Sequence, residues 1–224
     1  MTQIDKPELS LATKKEKFAE LLAVVTSAAP WIGGPVAEII GGAATNLKIR
    51  RVTEFVEGVL KYAEALHTVA AEEFVRSEDF ADILEKTAQA AADERHETKR
   101  RHFSNYILNN IAHPEITYDR RLKCLRVLIQ VDTRHIDFLK ALLQPPTTQE
   151  MSHMMGSPSA TLEGRVPHLR DDFTAIIHET NMLALTKIHD NYLKTMMTGP
   201  GAADLRNAVT GFGQELLSFI SPGE

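Results

Sequence analysis

The side chains of this 224-residue chain best suited to chemistry are nine histidines and two compact basic clusters. Their spacing limits what that chemistry can be. On one unbroken helix His178 and His189 stand roughly 16 Å apart at 1.5 Å per residue, too far to share an ion. His96 and His102 point about 240° apart around a helix axis and do not converge. No HExxH motif and no Cys/His zinc spacing occurs.

Nucleophile patterns are also missing. The chain has no GxSxG, no CxxC and no glycine loop followed by Lys-Ser or Lys-Thr to cradle a phosphate. Cys124, in "RRLKCLRVLIQ", sits among leucines and reads as a small core residue. No residue can be named as a catalyst and no cofactor is called for, so the chain reads as non-enzymatic.

The basic clusters are Lys99-Arg100-Arg101 and Arg120-Arg121-Lys123, the second continued by Arg126. Both flank a short non-helical link, so they could meet in space and bind an anionic partner: a phosphate backbone, a lipid headgroup or an acidic protein face. The simpler use is pairing with an acidic helix face elsewhere in the chain.

Hydrophobic periodicity supplies the elements that must position these groups, and it is helical throughout. Residues 12 to 28 form a short helix, stopped by Pro30 and the Gly33-Gly34-Pro35 corner. From Asn46 to Phe74, the residues Val52, Val56, Val59, Ala63, Leu66 and Ala70 alternate spacings of four and three, the rhythm of a helix lying along a neighbour. Its opposite face carries Glu54, Glu57, Glu64, Glu72 and Glu73. Ser77 caps a long helix running toward Asn110 through the charged "DERHETKRRH". Pro114 follows its end, Thr117 opens the next helix, and "TRHIDFLKALL" buries Ile136, Leu139 and Leu142.

Residues 144 to 167 lack periodicity and read as a mobile loop, the one domain boundary. Helices near 168 to 180 and 182 to 197 follow, then a Gly199-Pro200-Gly201 turn, a strand-like "LRNAV" and a helix capped by Thr210. That order resembles a winged helix. The third helix of a DNA-binding winged helix presents basic and amide side chains to base edges. Here that helix offers Asn181, Lys187, Asn191 and Lys194, and the wing Arg206 and Asn207, which is thin for base reading.

The opening third holds a different problem. Residues 27 to 45 are apolar but broken by Pro30, Pro35 and glycines at 33, 34, 41 and 42, so they are too interrupted to span a bilayer as a straight helix. Trp31 with Lys48, Arg50 and Arg51 are what a shallow membrane or partner contact would use, an aromatic beside cations. A tight corner inside the bundle is the other reading. The net charge of −5 argues against a surface shaped as a whole for nucleic acid. The lone cysteine and the charged, leaderless opening residues place the protein in the cytoplasm, with a peripheral position at the inner membrane open to it.

Four stretches together, the apolar segment ending in "KIRR", "SEDFADILEKTAQAA", "LRVLIQVDTRHIDFLKALL" and the closing "VTGFGQELLSFI", resemble the alpha-helical abortive-infection proteins of bacteria. The resemblance implies a helical protein linked to phage defence and carries no catalytic residues with it. The expected fold is mainly α. It has a flexible start at 1 to 11, a helical bundle over 12 to 143, the loop at 144 to 167 and a degenerate winged-helix-like part over 168 to 224. The expected function is a non-enzymatic interaction protein that meets a protein partner, a second copy of itself or a membrane surface. The alternative is a winged-helix regulator that binds nucleic acid.

Overall fold

The computed structural model describes residues 46–63, 73–152, 154–189 and 191–222. The expectations for residues 1 to 45, with Trp31 and the helix at 12 to 28, lie outside the described residues, as do Leu66 and Ala70. The fold is mainly α, a helical bundle, with two isolated β-bridges and no strand among the described residues. The helices are α1 (Asn46–Ala63), α2 (Glu78–Asp93), α3 (Glu97–Ala112), α4 (Tyr118–Gln130), α5 (Thr133–Leu143), α6 (Thr148–Ser152), α7 (Pro158–Arg165), α8 (Phe173–Met182), α9 (Gly199–Ala203) and α10 (Gly211–Ile220). Short 3-10 turns occupy Pro167–Asp172, Tyr192–Lys194 and Arg206–Ala208.

The chain divides into two compact units, one running to Leu122 and rejoined by Pro222, the other covering Lys123–Ser221. The division falls inside α4, whereas the sequence suggests a boundary in 144 to 167.

In the first unit α1 packs against both α2 and α3, which also meet each other. The four-three stripe of α1 faces this core: Val52, Val56 and Val59 are buried, joined by Phe55. Phe80, Ile83 and Leu84 from α2 and Phe103, Tyr106 and Ile107 from α3 complete it. Burying such a side chain contributes about 1.5–3 kcal/mol each. α1 lies tight against α3 at Gly58, where a Cβ would lie 2.7 Å from Ser104 Oγ. The Ser104 hydroxyl donates to the Phe55 carbonyl at 3.1 Å across this approach.

The expected single helix from Ser77 to Asn110 is two helices, α2 and α3, broken at residues 94 to 96. Two arginines make the break. Arg51 Nη1 donates to the carbonyls of Ala92 and Asp93 at 3.0 and 3.2 Å, and Arg100 Nη1 to those of Glu94 and Arg95 at 3.2 and 2.9 Å. Carbonyls that a continuing helix would have satisfied internally are satisfied by these guanidinium groups.

In the second unit α5 is the hub, packed against α7, α8, α10 and the 206–208 turn. The stretch expected as a loop contains α6 and α7. Ser157 caps α7 by accepting the Ala160 N–H at 3.3 Å, with Pro158 in the first turn. Arg165 ends it, donating to the carbonyls of Ala141, Gln144 and Ala203 at 2.8, 3.1 and 3.0 Å. It also grips the Glu150 carboxylate at 2.8 and 3.0 Å.

The helix expected over 182 to 197 does not form. α8 stops at Met182, Ala184 takes a left-handed φ of 56°, and only the 3-10 turn Tyr192–Lys194 follows before α9. Asn181 explains the stop, because its amide group donates to the Ile188 carbonyl at 2.7 Å and accepts the Ile188 N–H at 3.0 Å. A side chain that satisfies backbone groups further along competes with helix propagation. Residues 185 to 188 are held instead against 208 to 210, through Lys187 N–H to the Ala208 carbonyl at 2.9 Å and Thr210 N–H to the Leu185 carbonyl at 3.0 Å. "LRNAV" is a 3-10 turn ending in the Thr186–Val209 bridge, while Thr210 caps α10 as expected, accepting the Gly213 N–H at 3.0 Å. Among the described residues the recognition helix of the nucleic-acid reading does not form, and Lys187, Asn191 and Lys194 share no helix.

Candidate functional site

The two basic clusters do not converge. Lys99, Arg100 and Arg101 occupy the first turns of α3, whereas Arg121, in the first turn of α4, holds the other end of α3. The ten helical steps from Arg100 to Asn110 span about 15 Å.

Most of these cations face inward. Arg121 is 1% exposed and lies 3.8 Å from the centre of the Phe74 ring. Its guanidinium donates to Asn110, His113, Pro114 and Ile116, four residues at the end of α3 and just beyond it. Burial pulls its pKa below the ordinary arginine value, with Tyr106, Glu115 and Asp79 acting in the opposite direction. Arg100 is 6% exposed and donates from Nη2 to Glu54 Oε2 at 2.5 Å, the pairing with the acidic face of α1 that the sequence allowed. Lys99 is buried beside Glu94 at 3.4 Å, and Arg51 is buried in its cap of α2. Anion binding by Lys99, Arg100 or Arg121 would require these internal bonds to break.

The remaining candidates lie nearer the surface. Lys48 pairs with Asp93 at 2.6 Å and Arg50 with Glu54 at 3.5 Å. Arg101 is exposed and bonded to Glu97 one turn back. Arg120 is half-buried. Lys123, in the second unit, is exposed with its ammonium 4.3 Å from the centre of the Phe212 ring.

A groove of about 730 Å³ runs between α1 and α3, with Glu54 and Glu57 on one wall and Glu97, Arg100, Arg101 and Asn105 on the other. Its charges are unbalanced. Arg100 is matched by Glu54 and Arg101 by Glu97, while Glu57 makes no ion pair among the described residues. The Nε of Arg100 is buried with no hydrogen-bond partner. The lining sets three carboxylates against two guanidinium groups, with Arg50 outside it also on Glu54, so the basic run at 99 to 101 does not make the groove basic, and Glu57 is the group that suits an incoming ammonium or guanidinium. The glutamates at 54 and 57 were legible as an acidic helix face. Glu97 was not, since only the break between α2 and α3 brings it to the groove.

A second polar constellation escaped the sequence. In the second unit His135 is buried, with Nδ1 2.8 Å from Asp132 Oδ1 and Nε2 2.5 Å from Glu179 Oε2 on α8. Asp132 caps α5 and accepts two bonds from Arg134, which also reaches Asp172 at 3.0 Å. Burial alone would raise Asp132, but the Arg134 hydrogen bonds, the His135 backbone N–H and the His135 ring outweigh it and hold the carboxyl at about 2. Both ring nitrogens of His135 are engaged, so the group joins α5 to α8. The signal that could have revealed it is an aspartate three positions before a histidine at a helix start.

Among the described residues no group of three or more His, Cys, Asp or Glu side chains is placed to hold a metal ion. No helix among them is long and apolar enough to cross a membrane. Comparison with known protein families, curated proteins and solved structures finds no match to this chain.

Proposed function

We propose that this chain is a non-enzymatic helical interaction protein whose first unit receives a basic segment of a protein partner in the groove between α1 and α3. One observation carries the reading: Glu54 and Glu97 pair with the two arginines of the groove, and Glu57, on the exposed rim, makes no ion pair among the described residues. A lysine or arginine side chain entering there would meet carboxylates on both walls. The resemblance to abortive-infection proteins gives the setting, a cytoplasmic protein of bacterial phage defence, and the buried thiol of Cys124 accords with that compartment.

Fluorescence anisotropy with a labelled lysine-rich peptide and an acidic peptide of equal length tests the groove. The basic peptide should bind and weaken steeply with salt, because the rim is exposed and screened within about 10 Å at 0.1 M ionic strength. Glu57→Gln with Glu97→Gln should weaken it about fivefold or more. Equal binding of the acidic peptide, or unchanged binding by the double variant, would overturn the proposal. Plating efficiency of phage on bacteria with and without the gene tests the defence setting.

A further inference from the structure

Five of the chain's seven methionines, Met151, Met154, Met155, Met196 and Met197, meet at one corner of the second unit. The antiparallel bridge between Gly156 and Met197 brings them together, closed by two N–H to carbonyl bonds of 2.9 Å each. Met154 and Met155 directly precede Gly156, and Met196 directly precedes Met197. Met151 lies on α6, which packs against α9, the helix that begins two residues after Met197. These side chains are not core. Met154 is 92% exposed, Met155 62%, Met196 59% and Met151 46%.

Methionine in a core fills gaps, and at a surface it offers solvent a flexible apolar arm ending in a polarisable sulfur. The sulfur is a neutral, soft donor, and thioether ligands select Cu(I) over the borderline and hard divalent ions, which prefer imidazole and carboxylate. The donors that would compete are occupied or remote among the described residues. The Glu150 carboxylate at this corner is gripped by Arg165 at 2.8 and 3.0 Å, and the Cys124 thiol is buried. Among the described residues, what the corner offers an approaching ion is thioether sulfur on three neighbouring stretches of chain; His153, which directly precedes Met154 in the sequence, lies outside them.

We propose that this corner binds one soft monovalent metal ion, Cu(I) or its surrogate Ag(I), with Met154, Met155 and Met196 as sulfur ligands and Met151 within reach as a fourth. Binding is ligand exchange, with no change of oxidation state: the ion leaves its previous ligands and gains thioether bonds. No proton is released, since a thioether carries none, so affinity stays flat with pH where a thiolate or imidazole site would lose it on acidification.

The test uses the full-length protein without oxygen, titrated against the coloured Cu(I) complex of bicinchoninate. Wild type should withdraw one equivalent of Cu(I), equally at pH 5.5 and 7.5. Met154→Leu, Met155→Leu and Met196→Leu combined should weaken this at least tenfold, and each alone should weaken it less. Leucine keeps the size of the side chain at exposed positions, and circular dichroism confirms that the variants are folded. Met182→Leu, a 76%-exposed methionine on α8 outside this corner, should change nothing. Zn(II) should not compete. Failure of wild type to withdraw Cu(I), or a triple variant that withdraws as much, would overturn the proposal. So would X-ray absorption of the bound copper showing only nitrogen and oxygen neighbours.

Discussion

Arg121 Nη1 donates to Asn110 twice, to its backbone carbonyl at 2.9 Å and to its side-chain carbonyl at 3.0 Å. The Asn110 amide in turn donates to the Tyr106 carbonyl at 2.6 Å, and the Tyr106 hydroxyl to the Arg121 carbonyl at 2.8 Å. The loop closes on itself: each of the three side chains is held by the next. A buried cation so completely bonded is weak evidence for net stability but strong evidence for the cost of removing it.

Arg121→Ala should therefore destabilise the first unit by about 3 to 5 kcal/mol, because carbonyls of Asn110, His113, Pro114 and Ile116 lose their donor together. Thermal denaturation followed by circular dichroism measures it. Arg121→Lys should recover only a small part, since an ammonium cannot reach in-plane acceptors on both sides. A melting temperature within a degree of wild type would show that the network contributes nothing.

The Glu150–Arg165 pair makes the second unit sensitive to acid. Hydrogen bonds from Arg165 hold the Glu150 carboxyl at about 2, below its ordinary 4.5, against the opposing effect of burial. A depressed carboxylate stabilises the folded state above its unfolded pKa, and the contribution is lost as pH falls from about 4.5 toward 2. Glu150→Gln should cost on the order of 2 kcal/mol at pH 7 and almost nothing at pH 2. Urea denaturation of both proteins across that range checks the sign. A difference that stays constant with pH would assign the effect to packing.

Two glycines of α10 should behave oppositely. A Cβ on Gly213 would lie 2.3 Å from the Leu185 carbonyl oxygen, a backbone atom that cannot swing away, whereas a Cβ on Gly211 meets nothing within 4 Å. Gly213→Ala should cost at least about 2 kcal/mol, and Gly211→Ala should be neutral or stabilising by up to about 1 kcal/mol. Urea midpoints of the two variants are the measurement, and equal shifts would mean that α10 can slide.

What the sequence revealed was local. The α1 stripe of Val52, Val56 and Val59, the Ser77 cap, the whole of α5 and the Thr210 cap follow from spacing and from side chains within four residues of what they satisfy. What it hid was held at long range. "DERHE" is composed mainly of ordinary helix formers, and the chain breaks there because Arg51, more than forty positions earlier, takes the carbonyls. Residues 182 to 197 look helical until Asn181 and the 208–210 stretch claim their backbone groups. For the candidate site, the residue types at 99 to 101 were plain but their direction was not. Whether Arg100 meets solvent or Glu54 depends on α1 lying beside α3, which no local pattern encodes.

Three helix ends share one device. Arg51 donates to the last carbonyls of α2, Arg121 to one in the last turn of α3, and Arg165 to one in the last turn of α5, in each case from another stretch of chain. Helix termini ordinarily fray, opening turn by turn on their own timescale. Here a last turn cannot peel away without extracting a buried guanidinium from a neighbouring element. Such an end has no cheap first step of unwinding, and its amide protons should exchange with solvent only when the surrounding packing opens as a body.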